Sequence, residues 1–155
     1  QMNIIWQYLD KRSAAVNALK DYSSMAYIIA HTDEEIAQVH EDTTTLGSPA
    51  FTDMPGGSPN PQSGEMRIIA AIDEIDVLRE RYRQAKEYME WFQPAWDSLL
   101  EDERYVLEQF YGGEEEKQID AVYNICEHLH IERSTAYNKK NRAVQHLALL
   151  LYGKT

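Results

Sequence analysis

Between Arg133 and Arg142 the chain sets out Arg133, Ser134, Thr135, Tyr137, Asn138, Lys139, Asn141 and Arg142, with Gln145 a turn further on. These are side chains that bond nucleic acid. Asn and Gln pair with the two-point edge of adenine, Arg with guanine or phosphate, and Ser and Thr with bases or phosphate oxygens. At about 100° per residue, with Ala136 turned inward, Ser134, Asn138, Asn141 and Gln145 fall on the far side, flanked by Tyr137 and Arg142. This inventory suits a reader of the major groove, with Arg133, Lys139, Lys140 and Arg142 as phosphate contacts around it.

Such a ridge needs elements that hold it outward. The stretch from Ala121 to Leu147 predicts two helices joined by a three-residue turn. The first carries Ala121, Val122, Ile125, Cys126 and Leu129 on one apolar stripe and ends at His130. Ile131 follows as an apolar plug under the turn, and the second helix opens at Arg133 with Ala136, Ala143, Leu147 and Leu150 facing inward. Short side chains at Ala121, Cys126, Ala136 and Ala143 allow two helices to cross closely, which is the anatomy of a helix-turn-helix.

Here the chain resembles region 4 of bacterial sigma factors and the phage regulators built on it. The resemblance is carried by Leu99-Leu100-Glu101-Asp102-Glu103-Arg104-Tyr105-Val106-Leu107, which looks like that module's opening helix, and by Ile131-Glu132-Arg133-Ser134-Thr135-Ala136-Tyr137 with Arg142-Ala143-Val144-Gln145-His146-Leu147. It spans about the last 55 residues. The upstream part, with Asp53-Met54-Pro55-Gly56-Gly57 before a long helix, is similar to a phage and prophage family related in plan to RinA-like and ArpU-like regulators. The resemblance implies transcriptional control of phage or prophage genes, through double-stranded promoter DNA, RNA polymerase, or both. The chain departs from the pattern at His130, where the family has Gly, at Glu132, where it has Ser or Thr, and at Lys140, an inward position whose ammonium is expected to reach solvent.

Net charge sharpens the reading. The chain of 155 residues carries −11 overall, yet from Lys117 onward it holds 6 Lys+Arg against 3 Asp+Glu, while residues 1–116 hold 9 against 23. The basic part coincides with the polar ridge. At physiological salt the Debye length is about 8 Å, so acidic residues a few nanometres from a duplex oppose binding little. A module with about 3 phosphate contacts has a salt slope near −3 and binds weakly alone, so a dimer or a protein partner is expected.

The upstream sequence predicts the rest of an all-α fold, a long antiparallel, coiled-coil-like helical hairpin over 1–95 followed by the helix-turn-helix domain over 96–155. Apolar residues recur at Ile68, Ala71 or Ile72, Ile75, Leu78, Tyr82, Ala85, Met89, Phe92 and Trp96, a period near 3.5. Pro94 marks the end of this helix. An earlier helix is expected from Asn3 to about Glu41, with Asp21–Ser24 the place where a break is allowed, on a stripe that includes Val16, Leu19, Tyr22, Ala26, Ile29, Ile36 and Val39. Residues 43–64 hold four of the five prolines and four of the seven glycines and are expected to form a flexible loop. Whether the hairpin closes within one chain or between two is left open. The apolar tail Leu147–Tyr152 is expected to dock on Trp91, Phe92, Trp96 or a second subunit.

Other features have plain explanations. Cys126 is a packing residue, and His128 and His130 point to different sides of a helix, so no metal or cofactor is expected. The clusters Asp73-Glu74-Asp76, Glu101-Asp102-Glu103 and Glu114-Glu115-Glu116 are solvated helix faces or helix starts. With no phosphate loop, nucleophile elbow or triad spacing, no enzyme is expected. There is no leader-like or membrane-spanning run, and a cytoplasmic protein is expected. Two other readings share the motif: a sigma-like module that mainly grips RNA polymerase or another protein, and a DNA-packaging protein of the small-terminase kind.

Overall fold

The computed structural model describes residues 8–46, 61–113 and 120–153. The fold is all-α, with five helices among the described residues: α1 (Lys11–Leu46), α2 (Pro61–Asp97), α3 (Glu101–Tyr111), α4 (Ala121–Leu129) and α5 (Arg133–Tyr152). No strand occurs among the described residues. The motif Asp53–Gly57, the cluster Glu114–Glu116 and residues 3–7 of the expected first helix lie outside them.

Several boundaries differ from expectation. α1 begins at Lys11 because Asp10 stops the helix there. The Ser13 N–H donates to Asp10 Oδ1 at 3.3 Å and the Ser13 hydroxyl to Oδ2 at 2.9 Å. The helix runs unbroken through Asp21–Ser24 and on to Leu46. Thr43 and Thr44 belong to it rather than to a loop, their hydroxyls donating to the Val39 and His40 carbonyls, each at 2.8 Å. α2 starts at Pro61, a residue type favoured at the first helical position, so the expected loop 43–64 loses both its ends to helices.

Pro94 does not end α2, which continues to Asp97. An interior proline costs about 3 kcal/mol or more. Burial on both sides of it offsets that cost, since Phe92 is fully buried and Ala95 nearly so. Ser98 then closes the helix, its N–H and hydroxyl both donating to the Pro94 carbonyl, at 3.1 and 2.8 Å.

The chain falls into two compact units that do not divide at residue 95: residues 1–23 with 88–155 form one, and residues 24–87 the other. The reason lies in the first unit's core. Ala15, Ala18 and Leu19 of α1 and Phe92 and Ala95 of α2 bury together with Leu107 of α3 and Ala143, Val144, Leu147, Ala148 and Leu151 of α5. A second cluster joins Val106 of α3, Val122 and Ile125 of α4 and Ala136 of α5, lined by Tyr105, Phe110, Cys126, Leu129 and Ile131. Cys126 thus takes the packing place expected of it.

The tail of α5 docks as expected on α2 residues, with the Trp91 and Tyr152 rings 5.5 Å apart. The inward stripe differs at its end: Leu151 is buried, whereas Leu150 is 39% exposed. Beyond Ala143 the helix packs against α1 and α2 residues as well as α3, and this moves the buried face toward Val144, Ala148 and Leu151.

In the unit of residues 24–87, Thr32, Ile75, Leu78 and Ala85 are buried, and Ile29, Ile36, Val39 and Tyr82 are half-buried. Ile68 and Ile72 depart from the expected stripe. They are 54% and 53% exposed, and with Met66, Ile69 and Val77 they leave much of the start of α2 apolar and uncovered. On the solvated side Arg83 bridges Glu80 at 2.7 Å and Glu87 at 3.0 Å, as charged residues at helical spacing do.

Candidate nucleic-acid interface

The polar ridge of α5 is held outward by what lies beneath it. α4 ends where His130 adopts the left-handed conformation (φ 55°, ψ 51°), its N–H donating to the Cys126 carbonyl. This is the position where the sigma-like pattern has Gly. Histidine is among the side chains that tolerate that region, though at a cost glycine avoids. The Ile131 N–H donates to the same carbonyl at 3.2 Å, and its half-buried side chain joins the α3–α4 cluster. Asn124 and Gln109 bond side chain to side chain at 3.3 Å, and the Tyr105 hydroxyl donates to the Asn124 carbonyl at 3.3 Å, so α3 and α4 are tied by polar contacts as well.

α5 begins after Glu132, whose side chain makes no capping hydrogen bond. Its carboxylate is exposed at the helix start, where the dipole tolerates it, and beside the ridge it is an acid facing any incoming phosphate. Ala136 and Ala143 are fully buried on the inward side. Opposite them Ser134, Asn138, Asn141 and Gln145 are all exposed, as are Arg133, Thr135 and Arg142. Tyr137 is 42% exposed. Lys139 is half-buried.

The donors and acceptors of this ridge are unspent. Among the described residues, no intramolecular hydrogen bond uses the side chains of Ser134, Asn138, Asn141 or Gln145, and no ion pair engages Arg133, Lys139 or Arg142. Lys140 differs from expectation. Its ammonium does not simply escape to solvent but lies over the Phe110 ring (5.1 Å) and the Tyr137 ring (5.7 Å), where the aromatic faces attract a cation.

Two grooves run beside the ridge. On one side Leu100, Asp102, Glu103 and Val106 of the α3 start face Thr135, Asn138, Lys139 and Arg142 across a groove of about 310 Å³. On the other, Arg12, Ser13, Val16 and Asn17 of α1 and Tyr111 of α3 face Lys140, Asn141 and Val144 across one of about 270 Å³. Sequence reasoning missed the α1 residues. They lie more than a hundred positions from α5, so no local spacing announces the juxtaposition.

Compared with protein-family models, curated proteins and solved structures, the chain matches none. No described helix is long and apolar enough to cross a membrane.

Proposed function

We propose that this chain is a sequence-specific DNA-binding transcriptional regulator of phage or prophage genes, in which α4 and α5 act as a sigma region 4-like helix-turn-helix and α5 enters the major groove. The observation that carries the reading is the ridge itself: exposed Ser134, Asn138, Asn141 and Gln145 with their hydrogen-bonding groups unspent, directly opposite buried Ala136 and Ala143. From Ser134 to Gln145 the ridge is about 16 Å long at 1.5 Å per residue, a length that the major groove accommodates. Unpaired Arg133 and Arg142 supply the charge that backbone contacts require.

Few phosphate contacts mean weak binding by one copy, and the reading therefore includes a homodimer. In this reading the exposed apolar start of α2 is the surface that a second copy covers. The test is selection of bound fragments from random and phage DNA by the full chain. Enrichment of one sequence supports the reading, and absence of any retained DNA defeats it.

A second reading, a sigma-like module that grips RNA polymerase, is favoured by Leu100. This leucine is 68% exposed beside the acidic first turn of α3, an apolar and acidic combination suited to a protein surface. Retention of polymerase with no enrichment of DNA is the result that distinguishes it.

A further inference from the structure

The two grooves beside the ridge differ in charge balance. The α3 side sets the carboxylates Asp102 and Glu103 against the cations Lys139 and Arg142. The α1 side carries Arg12 and Lys140 and no acid in its lining. Resting on the DNA-binding reading above, we propose that the α1 groove holds a backbone phosphate of the bound duplex, with the Arg12 guanidinium as its principal cation. α1 thereby belongs to the interface.

The chemistry of the lining supports this assignment. Arg12 is exposed and takes part in no ion pair among the described residues. Asp10, just before α1, attracts Arg12 through its charge, but both of its oxygens are engaged by Ser13, whose hydroxyl is thereby spent. Asp10 also occupies the Ser13 N–H, so side chains rather than the helix end hold the anion. The exposed amides of Asn17 and Asn141 carry no intramolecular bond and provide N–H donors. Lys140, pinned over Phe110 and Tyr137, keeps its charge at the groove, because ring faces attract an ammonium without neutralising it.

Val16, Val144 and Tyr111 complete the lining around these polar groups. At about 270 Å³ the groove is smaller than most pockets for drug-sized ligands and suits a phosphate with the edge of its sugar. Asn141 belongs both to the ridge and to this groove, so a strand whose bases meet Asn138 and Asn141 brings its backbone alongside Arg12.

The test measures affinity of the full chain for its selected fragment, and for a scrambled one, across a salt series. Arg12→Gln is expected to lower the salt slope by about 0.9 and to weaken binding about eightfold at 0.1 M salt, equally for both fragments. Arg12→Lys is expected to keep the slope. Asn17→Asp, which puts a carboxylate into the groove, is expected to weaken binding further, and both exposed positions leave the helical circular dichroism unchanged. Lys86→Gln removes one charge in residues 24–87 and is expected to leave the slope alone. If Arg12→Gln and Lys86→Gln behave alike while Asn138→Ala still shifts sequence preference, the α1 assignment fails and the DNA reading stands. If the unmodified chain retains no DNA at all, both fall.

Discussion

His146 Nδ1 lies 2.9 Å from both carboxylate oxygens of Glu103, and Glu103 Oε1 also accepts the Leu100 N–H at 3.0 Å. One partly buried carboxylate therefore closes the start of α3 and ties it to the middle of α5. Replacing Glu103 by Ala removes the cap and the tie together, and the expected loss is about 1–3 kcal/mol, read from the urea midpoint. Combining it with His146→Ala is expected to cost less than the sum of the two single changes. Strict additivity of the two would show that the contact contributes nothing.

Asn138→Ala and Arg133→Ala are expected to separate readout from anchoring. Both side chains are exposed and make no intramolecular contact that the fold needs. The Asn138 change is expected to relax preference at one base position, worth about 1–3 kcal/mol, whereas the Arg133 change weakens all fragments alike. Competition binding with single-base variants of the selected site checks both, and unchanged preference in Asn138→Ala would remove it from the reading edge.

The exposed start of α2 makes its own prediction. Ile69 and Ile72 are 58% and 53% exposed, so the double change Ile69→Lys/Ile72→Lys is expected to leave the monomer's stability within about 0.5 kcal/mol. It is expected to shift sedimentation from dimer to monomer. A native chain that already sediments as a monomer at micromolar concentration would contradict the dimer.

Tyr88 is expected to contribute to alkaline sensitivity in the unit formed by residues 1–23 and 88–155. Its hydroxyl donates to the Ala18 carbonyl, and burial, followed by the nearby Asp21 charge, raises its ionisation well above the ordinary value of 10.0. The fold favours the neutral phenol. Its contribution is therefore fully present below about pH 10 and is lost as pH rises toward the higher folded value. Tyr88→Phe is expected to cost about 1 kcal/mol at neutral pH and to flatten the alkaline loss, with Tyr111 and Tyr152, also raised by burial, retaining part of it. Thermal melts at pH 8 and above pH 10 check this, and an equal alkaline slope in both proteins would refute it.

Local signals carried far in this sequence where a stop is local. The 121–129 and 133–152 helices were legible because the apolar spacing of Val122, Ile125 and Leu129, the breakpoint at His130 and the inward Ala136–Ala143–Leu147 series all depend on near neighbours. Pro94 misled because the residues that hold the helix together around it, Phe92 and Ala95, act through partners in α1 and α5. The same distance hid the Leu151 side of α5 and the approach of Arg12 and Asn17 to Asn141. The spacing turns Lys140 inward, but the Phe110 ring that receives its ammonium comes from a helix whose register no spacing rule supplies.

α5 runs without interruption from Arg133 to Tyr152, about 30 Å at 1.5 Å per residue, and Tyr152 at its far end rests against Trp91. The polar ridge accordingly has no hinge of its own. The side chains at its two ends, Asn138 near the start and Tyr152 at the finish, are therefore carried on one continuous rod whose buried face is anchored from Ala136 to Leu151.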